Sequence, residues 1–235
     1  MIIRKNRLLL LIVVLSLLLF FSQEHIVHAA KTRPSEVISE AIEALEEMSD
    51  TLDSEIFGKL LKKAKGIAIF PSVIEAAIFG IGGQKGEGIA LRRDKETGIW
   101  YGPAFIKIKS VGIGARMGIQ SVILVLLINN KEGIEAFMED TFKFGGTLAW
   151  TLGPIGRSVS AEIDSDFNAP IYSYSICTGL YVDGGSLQGS TIKENSDANE
   201  TFYGKDISNR TILETKISKN AEVLKLLALI EEISK

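Results

Sequence analysis

One cysteine, Cys177, stands in 235 residues, so no intrachain disulfide can form and the fold must be held by its core. Histidine is almost as scarce. His25 and His28 are the two copies, and both fall within the first thirty residues. A chain that loses that stretch has no histidine, which weighs against Ser–His and Cys–His catalysis and against most zinc sites. Excess positive charge is also missing: 26 Lys and Arg face 29 Asp and Glu, a net charge of −3. Nothing global drives the chain toward nucleic acid. Uninterrupted apolar runs of about 20 residues, the length a spanning helix needs, are absent as well.

What the chain does have begins with Arg4, Lys5 and Arg7, followed by 14 apolar or near-apolar residues from Leu8 to Phe21 and then Val27-His28-Ala29-Ala30. A basic start, a short apolar run and a small-residue end form the pattern of a secretory signal peptide. Residues 1–30 are therefore expected to be cleaved, or kept as an N-terminal anchor. The product would be periplasmic, at the cell surface or secreted. Removing Arg4, Lys5, Arg7 and Glu24 from the 26 basic and 29 acidic residues leaves 23 and 28, a net −5. Residues 31–235 are long enough for a single domain with one sizeable core.

The periodicities predict an α+β fold. Pro34 to Met48 carries Val37, Ala41, Leu45 and Met48 on one helical face, with glutamates mostly opposite. A second helix is expected over Ser54–Lys65. Its apolar side holds Phe57 and Leu61, and Lys59, Lys62, Lys63 and Lys65 cluster in its C-terminal half. Cations suit a helix C-terminus, and on an amphipathic helix they also suit an anionic lipid surface. Beyond Gly66 the chain alternates β-formers with glycines. Strands are read at 67–70, ended by Pro71, then at 87–93, 99–108 and 119–128, with a hairpin turn at 94–98. A short inserted helix at 131–140 precedes further strands at 142–152 and 158–164. Pro170–Ile192 reads as short strands broken at Thr178-Gly179, with Tyr172 and Tyr174 on one face and Ile171, Ser173 and Cys177 on the other. Two short helical turns and a C-terminal helix at 218–233 complete a curled, glycine-rich antiparallel sheet, open or partly closed into a barrel.

Motifs for chemistry fail in detail. Gly80–Gly86 lacks the Gly-Lys-Ser/Thr ending and the following helix of a phosphate loop, so no nucleotide is expected. Asp164–Asn168 starts like a calcium loop but has Ala169 for the turn glycine and Ser175 for the last ligand, so no metal is expected. Lys107 and Lys109 share a strand face and, with Arg157, form a second basic set that a curling sheet would bring to its rim. Asn199-Glu200-Thr201 and Asn209-Arg210-Thr211 match the glycosylation acceptor pattern.

Taken in order, Ala64–Pro71, Gly80–Gly88, Gly153–Arg157, Ser173-Tyr174-Ser175 with Gly179-Leu180-Tyr181, Ser186–Gly189, and Asn199 with Phe202-Tyr203-Gly204 resemble the SYLF domain. The resemblance covers about residues 40 to 214. That family occurs in yeast actin-patch proteins, in animal relatives with SH3 domains, in plant FYVE-domain proteins and as exported bacterial proteins. It implies non-enzymatic lipid binding, to phosphoinositides in eukaryotes, with actin binding in the yeast branch and no cofactor. It places membrane contact on the amphipathic N-terminal segment, here Lys59, Lys62, Lys63 and Lys65 with Phe57 and Leu61. The expected partner is thus an anionic phospholipid surface, with no nucleic acid. The alternative is a structural or protein-interaction module with an envelope protein partner.

Overall fold

A computed structural model describes residues 33–51, 54–78, 81–113, 118–144, 150–152, 169–181 and 189–235. The leader expected at 1–30, the strand expected at 158–164 and Arg157 lie outside the described residues. From Pro34 on, the chain is one compact unit. Among the described residues, the core starts at Val37.

The order is α1 (Pro34–Thr51), α2 (Ser54–Lys63), β1 (Gly66–Ile78), β2 (Ile81–Arg93), β3 (Trp100–Ile113) and β4 (Gly118–Ile128). There follow α3 (Lys131–Met138), β5 (Thr141–Lys143), β6 (Trp150–Leu152), β7 (Ile171–Tyr181), β8 (Thr191–Glu194), α4 (Ser196–Tyr203), α5 (Asn209–Thr215) and α6 (Ala221–Ile233). The strands form one sheet in the order β5-β8-β3-β2-β1-β4-β7-β6. The pairs are antiparallel except β6 with β7. Among the described residues the sheet is open and the barrel does not form. Its two edges are three-residue strands, too short to form the staggered ladder that closure needs.

Two strands are longer than their sequences suggest. Pro71 does not end β1. The register shifts between Ile69 and Ser72, and the proline sits in that irregularity, where its missing N–H costs no ladder bond. Likewise Thr178-Gly179 does not break β7. Both residues pair with β4, opposite Ser121 and Gln120, so the partner strand overrides the local glycine.

The sheet has a core on each face. On one face Ile67, Ile69, Ile89, Val125 and Leu127 meet α1, α2 and α6 through Leu45, Met48, Phe57, Leu61 and Leu226. Tyr172 and Tyr174 join this face, and Phe57 meets Tyr174 edge-on at 5.1 Å. On the other face Phe70, Ile106, Leu124 and Ile171 meet Phe137, Ile212 and Leu213 of α3 and α5. Two buried apolar layers about one sheet supply the main stabilisation in a chain without disulfides.

The β2 glycines follow from how closely the strands pack. At Gly88 a Cβ would run into the Ile69 carbonyl oxygen and lie 2.7 Å from the Phe70 ring. Polar ties add register. Asn199, fully buried, accepts from Phe105 N at 2.8 Å and donates to Asn209 Oδ1 at 2.9 Å. Asn209 N in turn donates to Glu194 Oε2 at 2.6 Å. Both asparagines of the two acceptor motifs are therefore inside the fold, and neither offers its amide nitrogen for glycosylation.

Candidate anionic-surface site

The lysines of α2 end up where the helix meets the sheet. Lys59, Lys62, Lys63 and Lys65 are all exposed. Lys59 pairs with Glu55 at 2.7 Å, one helical turn earlier. The helix stops at Lys63, and the next residues are stitched to two strands. Lys65 N donates to Ile128 O at 2.7 Å, and Arg93 N donates to Lys65 O at 2.7 Å. That pairing sets the end of α2 beside the β2–β3 turn.

The turn supplies more positive charge. Lys95 Nζ donates to the Lys62 carbonyl at 2.9 Å, so an ammonium group completes the cap that α2 lacks at its C-terminus. Partial burial, then the charges of Arg93 and Lys65, hold the Lys95 ammonium below the ordinary lysine value. Arg93 lies over Trp100, with its guanidinium carbon 5.6 Å from the ring centre. Arg93 Nε is buried and finds no hydrogen-bond partner among the described residues. The turn also carries two acids: Asp94, whose Oδ1 accepts from Glu96 N at 3.0 Å and Thr97 N at 2.9 Å, and the exposed Glu96. Those bonds hold the Asp94 carboxyl below the usual aspartate value. The outcome is Lys62, Lys65, Arg93 and Lys95 gathered at one end of the strands, with Asp94 and Glu96 in the same turn and Asp50, Glu55 and Glu232 beside Lys62.

The structure corrects the apolar half of the expected site. Phe57 and Leu61 are 1% and 0% exposed. They pack inward because α2 needs its apolar stripe against the sheet and α6, so they are core residues and offer no free face to a membrane. Arg93 and Lys95 were the residues missed as partners of α2. Their convergence depends on the Lys65–Arg93 backbone bond, which no local pattern reports.

Of the second basic set, Lys107 and Lys109 do not join the first, and Arg157 lies outside the described residues. Lys107 and Lys109 do share a face of β3, as their alternation predicts. Lys107 lies 3.9 Å from Glu87, and Lys109 is paired in register with Lys85. Arg93 of the first set pairs with Trp100, nine residues before Lys109 and about 31 Å away along the strand. Cys177 is exposed, with a thiol pushed up by partial burial and by Glu75, which disfavours the reactive thiolate.

A family model described as "Ysc84: Las17-binding protein actin regulator" matches residues 109–233. Protein YSC84 of Saccharomyces cerevisiae is 32% identical over 175 residues, 73% of this chain and 36% of that protein. SH3 domain-containing YSC84-like protein 1 is 33% identical in Bos taurus over 183 residues, 77% of this chain and 52% of that protein. Its Homo sapiens counterpart is 35% identical over 162 residues, 68% of this chain and 46% of that protein. The matched region thus spans about a third to a half of these relatives. On the family match over more than half of its length, and on the ordered motifs from Ala64 to Gly204, the chain belongs to the Ysc84 family of SYLF-domain proteins.

Proposed function

We propose that this domain binds an anionic phospholipid surface without catalysing a reaction, and that it does so outside the cytoplasm after export by its N-terminal leader. The observation that carries the reading is the convergence of Lys62, Lys65, Arg93 and Lys95, four cations against Asp94 and Glu96 of the same turn. Phosphate headgroups offer the charge this cluster lacks. The resemblance to a lipid-binding family supports the same ligand class, and phosphatidylinositol is one headgroup to include in the test.

Co-sedimentation of residues 31–235 with vesicles tests it. Vesicles containing phosphatidylglycerol or phosphatidylinositol pellet the domain at low salt, and phosphatidylcholine vesicles pellet much less. Binding declines as salt rises and the screening length shortens. Lys62→Glu/Lys65→Glu/Lys95→Glu lowers the low-salt affinity by about a hundredfold or more, given roughly 1 kcal/mol per lysine near such a surface. Equal binding by this variant and the wild type sinks the assignment of the site.

A second reading, a protein-interaction module, draws on the family description as a Las17-binding actin regulator. Under it, the triple variant binds vesicles like the wild type, and a purified envelope protein binds the domain at a defined stoichiometry.

A further inference from the structure

Among the described residues, the strand ends far from α2 carry exposed aliphatic side chains. Val111 is 78% exposed, Ile119 59%, Ile81 40% and Ile78 39%. The register places them together. Val111 pairs with Gly83, Gly83 with Ala76, and Ala76 with Ile119, which makes one row across β3, β2, β1 and β4. Directly paired residues share a face, so Val111 and Ile119 project from the same side. Ile78 and Ile81 pair with each other two residues further out on that side. Two residues inward from Val111, Lys109 pairs with Lys85, and both are exposed. One row further in, Lys107 lies beside Glu87.

Resting on the reading of an anionic lipid surface, we propose that this far end inserts into the bilayer. Val111, Ile119, Ile78 and Ile81 enter the acyl boundary, and Lys85 and Lys109 meet the phosphates. The spacing fits. Two residues along a strand cover about 7 Å, and interfacial apolar elements bury themselves about 5 to 10 Å deep. Lysine stems lie along apolar surface while their ammonium groups reach the headgroups. Exposed aliphatics backed by a row of cations complement an anionic bilayer, apolar below and negative at its surface. This end lies about 40 Å along β1 from the α2 cluster, so it is a separate contact, made with the strands upright on the bilayer and the α2 cluster turned away from it. It gives binding a salt-resistant part that the lysine cluster alone lacks.

The test compares residues 31–235 with Val111→Ser/Ile119→Ser on phosphatidylglycerol vesicles at about 0.1 M and about 1 M salt, where the screening length falls from roughly 10 to 3 Å. The wild type is expected to retain a bound fraction at high salt. The serine variant is expected to lose about tenfold or more in affinity there, at two highly exposed positions where folding is little affected. In parallel, Val111→Trp gains emission quenched by bromine on the lipid acyl chains, over the wild-type background. Wild-type binding by the serine variant, or no added quenching in the tryptophan variant, overturns insertion. Loss of binding only in Lys62→Glu/Lys65→Glu/Lys95→Glu leaves the lipid reading standing and refutes this end as its second contact. No binding by any form refutes both.

Discussion

Lys95 shows how one side chain reports on the site. It is held among Arg93 and Lys65 while its ammonium caps α2, and its charged form is disfavoured by burial and by those two neighbours. A bound phosphate offsets that penalty and raises the Lys95 value toward the ordinary one. Binding is therefore expected to weaken as pH rises through the lowered Lys95 value, before the ordinary lysine value of 10.5 is reached. Without ligand the sign for stability is opposite. The folded value is depressed, so the contribution is present above the unfolded value and is lost as pH falls through the folded one. Vesicle binding measured across alkaline pH checks this, and Lys95→Gln should flatten the curve; an unchanged curve excludes Lys95 from the contact. Asn199 makes a prediction of stability alone. Asn199→Ala leaves Phe105 N and Asn209 Oδ1 without partners in the interior and should cost about 3 kcal/mol in denaturant unfolding.

Among the elements, β2 makes the strictest demand on sequence. Gly88→Ala sets a methyl group against the Ile69 carbonyl and the Phe70 ring, so it should destabilise by about 2 kcal/mol or more, read from the urea midpoint. The same strand shows what could and could not be read beforehand. Helices α1, α2 and α6 were legible because their apolar residues repeat at helical spacing and pack as one layer. The faces of β7 were legible too, with Tyr172 and Tyr174 on one side and Ile171 on the other. The full lengths of β1, β2 and β7 were not. Pro71 and the glycines of Gly80–Gly88 and Thr178-Gly179 look locally like breaks, and only cross-strand pairing makes them continuous. The candidate site divides in the same way. The exposure of the α2 lysines was legible from their spacing. The burial of Phe57 and Leu61 and the arrival of Arg93 and Lys95 depend on tertiary contacts.

At the scale of the molecule, an open, two-faced sheet carries a basic cluster at one end of its strands and an apolar tip backed by lysines at the other. The two ends differ in their physics. Attraction at the α2 end fades with salt, and apolar burial at the far end does not. The chain belongs to the Ysc84 family and matches 36% of the length of the Saccharomyces cerevisiae protein. The most direct test of that account is co-sedimentation of residues 31–235 with anionic and neutral vesicles over a salt series. Pelleting with the anionic vesicles alone at low salt, weakened by Lys62→Glu/Lys65→Glu/Lys95→Glu, is the result the structure predicts. A domain that stays in the supernatant with every vesicle and at every salt contradicts it.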